Sequence, residues 1–112
     1  MSEFVAGWYK KAQPVASPFF NERPNAAIDL LVIHNISLPP GQFGEGYVQR
    51  FFQNALPVDE HPYFESIHHL QVSAHCFIER DGNITQFVSF LDRAWHAGLS
   101  HFQGRDNCND FS

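Results

Sequence analysis

The sequence predicts an α/β domain: a mixed central sheet with flanking helices. Three observations carry this. Residues 74–88 hold a β-hairpin pattern: Ala74-His75-Cys76-Phe77-Ile78-Glu79-Arg80, the tight-turn signature Asp81-Gly82-Asn83, and a return strand Ile84-Thr85-Gln86-Phe87-Val88. A separate run, Leu30 to His34, is short, apolar and partly β-branched, which favours a buried strand over a helix. Between them, Val48, Phe51, Phe52 and Ala55 recur at i, i+3, i+4 and i+7, the spacing of an amphipathic helix over 47–56.

In chain order, residues 13–27 contain Pro14, Pro18 and Pro24 among polar residues and read as an extended lead-in, because proline fixes φ and disfavours helix at the residue before it. The strand at 30–34 is bounded by Asp29 and Asn35. Pro39-Pro40-Gly41 forces a loop. The 47–56 helix stops before Pro57 and is expected to pack on one sheet face, burying Phe51 and Phe52. Residues 61–69, with Pro62 near the start, form a short helix or turn. After the hairpin, 91–95 is expected to make one helical turn and 98–109 a polar loop. Asn109-Asp110-Phe111-Ser112 reads like the entry to a further element, so residues 1–112 are expected to be the N-terminal portion of a single domain.

Composition narrows the function. With 44% apolar and 17% charged residues in 112, the chain can bury a core without disulfide staples and is not a disordered tail. Its 7 Lys and Arg are scattered against 12 Asp and Glu, for a net charge of −5, so nucleic acid is not an expected partner. The first residues show no basic n-region and no apolar stretch long enough for a signal peptide, so none is expected, and the longest aliphatic run falls far short of the roughly 20 residues of a membrane span. No membrane association is expected; a cytoplasmic protein with reduced thiols is. Cys76 and Cys108 form no Cys-x-x-Cys pair, although spacing alone leaves a single disulfide open.

The 7 histidines direct attention to metal and acid–base chemistry. His34 closes the 30–34 strand, where catalytic groups of α/β sheets gather; taken alone, the residue reads better as a capping or core histidine bonded to a backbone carbonyl. Asn35 beside it suits either a substrate carbonyl or a strand-exit turn. Trp95 is either a stacking platform for a sugar or peptide or a plug over the core. His96 is either a cleft residue or a cation at a helix C-terminus. Arg93 and Arg105 could pair with substrate carboxylates, but for each alone a solvated surface reads better. His68-His69 cannot share one helix face, and no His-Glu-x-x-His is present. His61 reads as solvated, His75 as a buried histidine bonded to a neighbour. Cys76 reads as a small core residue, since no charge adjoins it to lower its pKa.

Five blocks, His34-Asn35-Ile36-Ser37-Leu38-Pro39-Pro40-Gly41, Val72-Ser73-Ala74-His75-Cys76, Arg80-Asp81-Gly82, Arg93-Ala94-Trp95-His96-Ala97-Gly98 and Gly104-Arg105 with Cys108-Asn109-Asp110-Phe111-Ser112, together resemble the zinc-dependent N-acetylmuramoyl-L-alanine amidases. The type most similar is the cytosolic AmpD type, which acts on 1,6-anhydro-muropeptides in cell-wall recycling. The resemblance implies Zn2+ as cofactor with His34 as one ligand, the other ligands and the catalytic glutamate lying beyond Ser112. It also implies a muropeptide substrate, with Asn35, Trp95, His96 and Arg105 lining its cleft. The reaction implied is hydrolysis of the amide between the muramoyl lactyl group and L-alanine. Two rivals remain: a non-catalytic muropeptide-binding module of the same fold, and a histidine-rich interaction domain without ligand. Lacking a central strand, the 112 residues are expected to be inactive alone, and either to associate through an exposed sheet edge or to be marginally folded.

Overall fold

The structure, a computed structural model, describes residues 3–24, 28–39, 41, 44, 46–96, 100–102 and 104–112, with the backbone alone for 101, 102 and 105. In order come β1 (Phe4–Val5), β2 (Trp8–Tyr9), β3 (Gln13–Pro14), β4 (Phe20–Glu22), α1 (Tyr47–Phe52), a 3-10 turn at Val58–Glu60 and α2 (Pro62–Ile67). They are followed by β5 (Cys76–Ile78), β6 (Ile84–Gln86), β7 (Asp92–Ala94), β8 (His101–Phe102), β9 (Arg105–Asp106) and a 3-10 turn at Cys108–Asp110.

The predicted hairpin forms as β5 and β6, paired Cys76↔Gln86, Phe77↔Thr85 and Ile78↔Ile84. On the far side of β6, β3 runs parallel to it, with Gln13 opposite Thr85, so this sheet is mixed, in the order β3-β6-β5. The lead-in thus supplies a strand, and a second one further on, where β4 pairs antiparallel with β7. That pairing overturns the helical turn expected at 91–95. Ala94 is fully buried, while Arg93 Nε and Trp95 Nε1 both donate to Asn21 Oδ1 at 2.9 Å. The period of two belongs to a strand, and a partner some 70 positions upstream outweighs local preference. Residues expected as a polar loop hold the short β8–β9 pair and the second 3-10 turn.

The helix is shorter than its apolar spacing suggested. Asn54 adopts φ 62°, Asn54 N donates to Phe51 O (3.2 Å) and Ala55 N to Arg50 O (2.8 Å). These two bonds form a Schellman-type stop, with asparagine in the left-handed position. Val48, Phe51 and Phe52 are buried as expected, and Phe52 meets Phe87 edge-on at 5.0 Å. The core joins α1, Leu56, Phe64 of α2, and Phe87, Val88 and Ala94.

The β1–β2 hairpin turns through Ala6 (φ 50°) and Gly7 (φ 83°), two left-handed residues as a tight hairpin requires. It is tied to the sheet by Gln86, whose side chain is fully buried and fully bonded. Gln86 Oε1 accepts from Tyr9 N (2.7 Å), and Gln86 Nε2 donates to Gly7 O and Val88 O (both 2.9 Å).

One predicted strand does not form. Residues 30–34 carry no regular secondary structure; their anchorage is a pair of bonds from Asp29 N (3.0 Å) and Leu30 N (3.2 Å) to Phe111 O. Leu31 is 82% and Ile33 84% exposed, whereas Leu30 before them and Val32 between them are less so. The exposure alternates as it does along an extended chain. What is missing is a neighbour: among the described residues no backbone lies hydrogen-bonded beside Leu31 to His34.

Candidate active-site face

The unpaired run and β5 form two walls of an apolar cavity of about 1090 Å³. His34, Asn35, His75, His96 and Ser112 bring polar groups to it. His34 stands exposed, and no hydrogen bond engages its ring among the described residues; the ring stacks on His96 at 6.2 Å, inclined by 28°. Both of its nitrogens are therefore available to a ligand.

His96 follows β7 and is half-buried, so it is not a helix-terminal cation. Its N–H donates to Asn109 Oδ1 (3.2 Å), and its Nε2 lies 2.7 Å from Ser112 Oγ. Burial lowers its pKa, and the neighbouring His34, His75 and Arg23 push it the same way. The ring is neutral, with a hydroxyl fixing one nitrogen.

Arg23 organises the ground beneath. Its Nη1 donates to the carbonyls of Asn109 and Asp110 (both 3.3 Å), and Nη2 to Phe90 O (3.2 Å), while Nε is buried with no partner among the described residues. His75 Nε2 lies 3.2 Å from Arg23 Nη2 and 3.0 Å from Asp92 O, serving one at a time. Burial pushes the His75 pKa down, so this histidine too is neutral, bonded as the sequence suggested. Arg93 is not solvated: it is half-buried in an ion pair with Asp110. Through Arg23, Arg93 and Phe111 O, the 108–112 turn anchors both the segment leading to His34 and the backbone of His96.

The candidate residues divide. His34, Asn35 and His96 share the cavity. Trp95 is not among its lining residues; its ring packs against Phe19 at 6.2 Å, its indole N–H is bonded to Asn21, and its backbone N–H donates to Ser73 Oγ. Arg105 pairs with Phe102 through backbone, and its side chain lies outside the described residues, as do Ala97 and Gly98. Burial raises the Cys76 thiol to about 11, in keeping with a core role, and both cysteines are free. His61 is not simply solvated: its Nδ1 accepts from Tyr63 N (3.0 Å), capping α2. His68 and His69 are exposed at the end of α2. Arg23, Asn109 and Ser112 were not singled out as positioning residues from sequence; a lone arginine inside a proline-rich lead-in was the available signal.

Among the described residues no three His, Cys, Asp or Glu side chains converge to hold a metal, and no helix is long and apolar enough to cross a membrane. His34 alone, exposed and unbonded on the cavity wall, fits as one nitrogen donor.

The 1,6-anhydro-N-acetylmuramyl-L-alanine amidase AmpD of Haemophilus influenzae is 59% identical over 100% of this chain, which spans 61% of that protein. The protein of the same name from Salmonella typhimurium is 53% identical over 95% of the chain, covering 57% of its own length. A crystal structure of a selenomethionine AmpD derivative superposes with a TM-score of 0.93 at 51% identity, covering 96% of this chain and 61% of that one. The solution structure of Citrobacter freundii AmpD gives 0.61 at 52% identity, covering 97% and 59%. The chain therefore spans about three fifths of the curated relatives it matches. The sequence model that describes N-acetylmuramoyl-L-alanine amidases matches residues 24–112, from the lead-in that holds Arg23's neighbours to the 108–112 turn, and the chain belongs to that family.

Proposed function

We propose that these residues form one wall of the active site of a zinc-dependent N-acetylmuramoyl-L-alanine amidase. The enzyme hydrolyses the amide between the lactyl group of 1,6-anhydro-N-acetylmuramic acid and L-alanine, in turnover and recycling of peptidoglycan. The observation that carries this is His34: an exposed, unbonded imidazole on a large apolar cavity, in a chain whose relatives bear that activity in their names.

His34 would hold zinc through a ring nitrogen, with the remaining ligands and the catalytic carboxylate contributed from outside these residues. Bound zinc polarises a scissile carbonyl and brings the pKa of a bound water toward neutrality. The chain's own residues bind and orient. Asn35, next to His34, offers an amide to a substrate carbonyl. Neutral His96, fixed by Asn109 and Ser112, presents a ring without adding charge beside a cation. The aliphatic wall excludes water from the reacting bond. Trp95 and Arg105 belong to this reading as outer contacts for sugar and stem-peptide carboxylate. A cytoplasmic site of action fits the two free thiols.

The test is hydrolysis of 1,6-anhydro-muropeptide by the chain completed with the two fifths that the Haemophilus relative carries in addition, compared with the chain alone. Activity is expected only in the completed enzyme, and His34→Ala should abolish both turnover and stoichiometric zinc. Near-normal turnover and zinc in that variant would remove His34 from the site. A second reading, a muropeptide-binding module, draws on the lack of three converging metal-capable side chains among the described residues. It predicts binding with no hydrolysis even in the completed chain.

A further inference from the structure

The guanidinium of Arg23 joins segments that are far apart in sequence. Arg23 itself follows β4. Its Nη1 donates to the carbonyls of Asn109 and Asp110 in the 108–112 turn, both at 3.3 Å. Its Nη2 donates to Phe90 O (3.2 Å), between β6 and β7, and lies 3.2 Å from His75 Nε2 at the entry to β5. Nε makes no bond among the described residues, so these acceptors alone direct the fork. With both terminal nitrogens committed to the fold, Arg23 acts on the cavity through what it holds.

What it holds is the turn that carries the anchors of both histidines. Asn109 Oδ1 accepts from His96 N (3.2 Å), and Ser112 Oγ lies 2.7 Å from His96 Nε2. Phe111 O accepts from Asp29 N and Leu30 N, at the start of the run that ends in His34. The turn's own backbone bonds are local: Asp110 N donates to Asn107 O, and Phe111 N and Ser112 N to Cys108 O. Two arginines tie it to the sheet. Arg93 grips the Asp110 carboxylate, which sits on rotatable bonds. Arg23 grips backbone carbonyls, and a carbonyl held in place fixes the plane of its peptide.

We propose that Arg23 is a positioning residue of the amidase site: by gripping the Asn109 and Asp110 carbonyls it sets the peptide planes of the 108–112 turn, and through them the direction of the His96 ring and the origin of the segment that ends in His34. This rests on the reading of the cavity as that site. The fork matters here, and charge alone does not suffice. A guanidinium is planar and reaches carbonyls on two sides, whereas an ammonium gathers its donors at one point. Lysine at position 23 keeps the charge but cannot hold Phe90 O and the turn together, so Arg23→Lys behaves as a loss. A purely electrostatic role would let lysine substitute.

Amide exchange and kinetics in the completed enzyme test it together. In Arg23→Lys the amides of His96, Asp29 and Leu30, all bonded to the turn, should exchange at least about tenfold faster. Those of Val15 and Ser17, bonded to Gln86 O and Phe87 O across the sheet, should stay within about threefold. On 1,6-anhydro-muropeptide, kcat should fall about 10–100-fold with KM changed less than about threefold. Asn109→Ala leaves the backbone carbonyl to Arg23 and removes the link to His96. It should lower kcat in the same range with the Val15 and Ser17 amides unmoved, which keeps the proposal open to refutation if Arg23→Lys folds poorly. Combined, the two substitutions should cost less than the product of their separate effects, because they break one chain of contacts. Parent-like kcat and turn amides in Arg23→Lys overturn the proposal. So do acceleration of both sets of amides alike, effects of the two substitutions that multiply, or a rise in KM alone. A completed enzyme that hydrolyses nothing removes the catalytic reading, and the exchange comparison still decides whether Arg23 holds the turn.

Discussion

Replacing Gln86 by methionine removes an amide from a fully buried position while keeping most of its volume. Three backbone groups lose their partner: Tyr9 N at 2.7 Å, Gly7 O at 2.9 Å and Val88 O at 2.9 Å. A buried group left unsatisfied costs about 1–3 kcal/mol. Val88 is buried and takes the middle of that range. Tyr9 and Gly7 are half-buried and regain some water, and Gly7 O keeps its bond from Phe90 N (2.9 Å), so each falls at the low end. The sum is about 3–4 kcal/mol, a large share of the 5–15 kcal/mol typical of a domain. Urea unfolding with a slope of about 2 kcal/mol per molar should show the midpoint fall by roughly 1.5–2 M. Gln86→Glu supplies a second readout. Burial raises the carboxyl's folded-state pKa, so the variant's stability relative to the parent is fullest below the unfolded value near 4.3 and is lost as pH rises through the folded one. A loss below about 1 kcal/mol for Gln86→Met, or a Gln86→Glu variant indifferent to pH, would refute the role given to this amide.

Gly7→Ala should cost about 2–4 kcal/mol: φ is +83°, and a Cβ would lie 2.1 Å from Ser89 Oγ and 2.9 Å from Leu91 Cγ; thermal denaturation checks it. Asn54→Gly should gain about 0.5–1 kcal/mol by relieving the left-handed φ of 62° that ends α1, and Asn54→Ala should lose a similar amount, read from urea midpoints. His75 has its pKa lowered by burial, so the unfolded chain binds the extra proton first; unfolding free energy should fall as pH drops below about 6.5, by at most about 1.4 kcal/mol per pH unit, with His75→Gln flattening the slope.

The parts legible in the sequence were those specified by neighbours along the chain. The 74–88 hairpin carries its own turn chemistry. Pro62 and the apolar positions after it marked α2, and the periodicity of Val48, Phe51 and Phe52 marked the buried face of α1. The end of that helix was misread because apolar spacing continues through Ala55, while the stop is set by one asparagine whose left-handed φ spacing does not reveal. β7 was illegible for the opposite reason: its partner, Phe20–Glu22, lies in a lead-in that reads only as proline-broken. Gln86 looked like an ordinary return-strand residue, since two of its three partners stand 77 and 79 positions away. At the site, His34 and Asn35 were visible from their place after an apolar run. What fixes His96 was not, because Asn109 and Ser112 meet it only after the 108–112 turn has docked on Arg23.

The apolar run before His34 connects stability to the site. Leu31, Ile33 and Ile78 are uncovered, and burying them contributes roughly 4–9 kcal/mol in all. Ordering residues 31–36 costs about 1–2 kcal/mol per residue of backbone freedom, so the run has no reason to hold one shape until something covers it. Its present anchorage, two bonds to Phe111 O at its start, leaves the end that carries His34 the least constrained. A histidine placed there acquires a fixed direction only when the run that carries it is covered. Covering the run would therefore raise stability and order His34 in one step, and on the proposed reading of His34 as a zinc ligand, metal affinity should follow the unfolding free energy across variants of Ile33 and Ile78 that never touch the metal. Zinc affinity that stayed constant while such variants shifted the urea midpoint would separate the two and show that His34 is oriented by something other than this run.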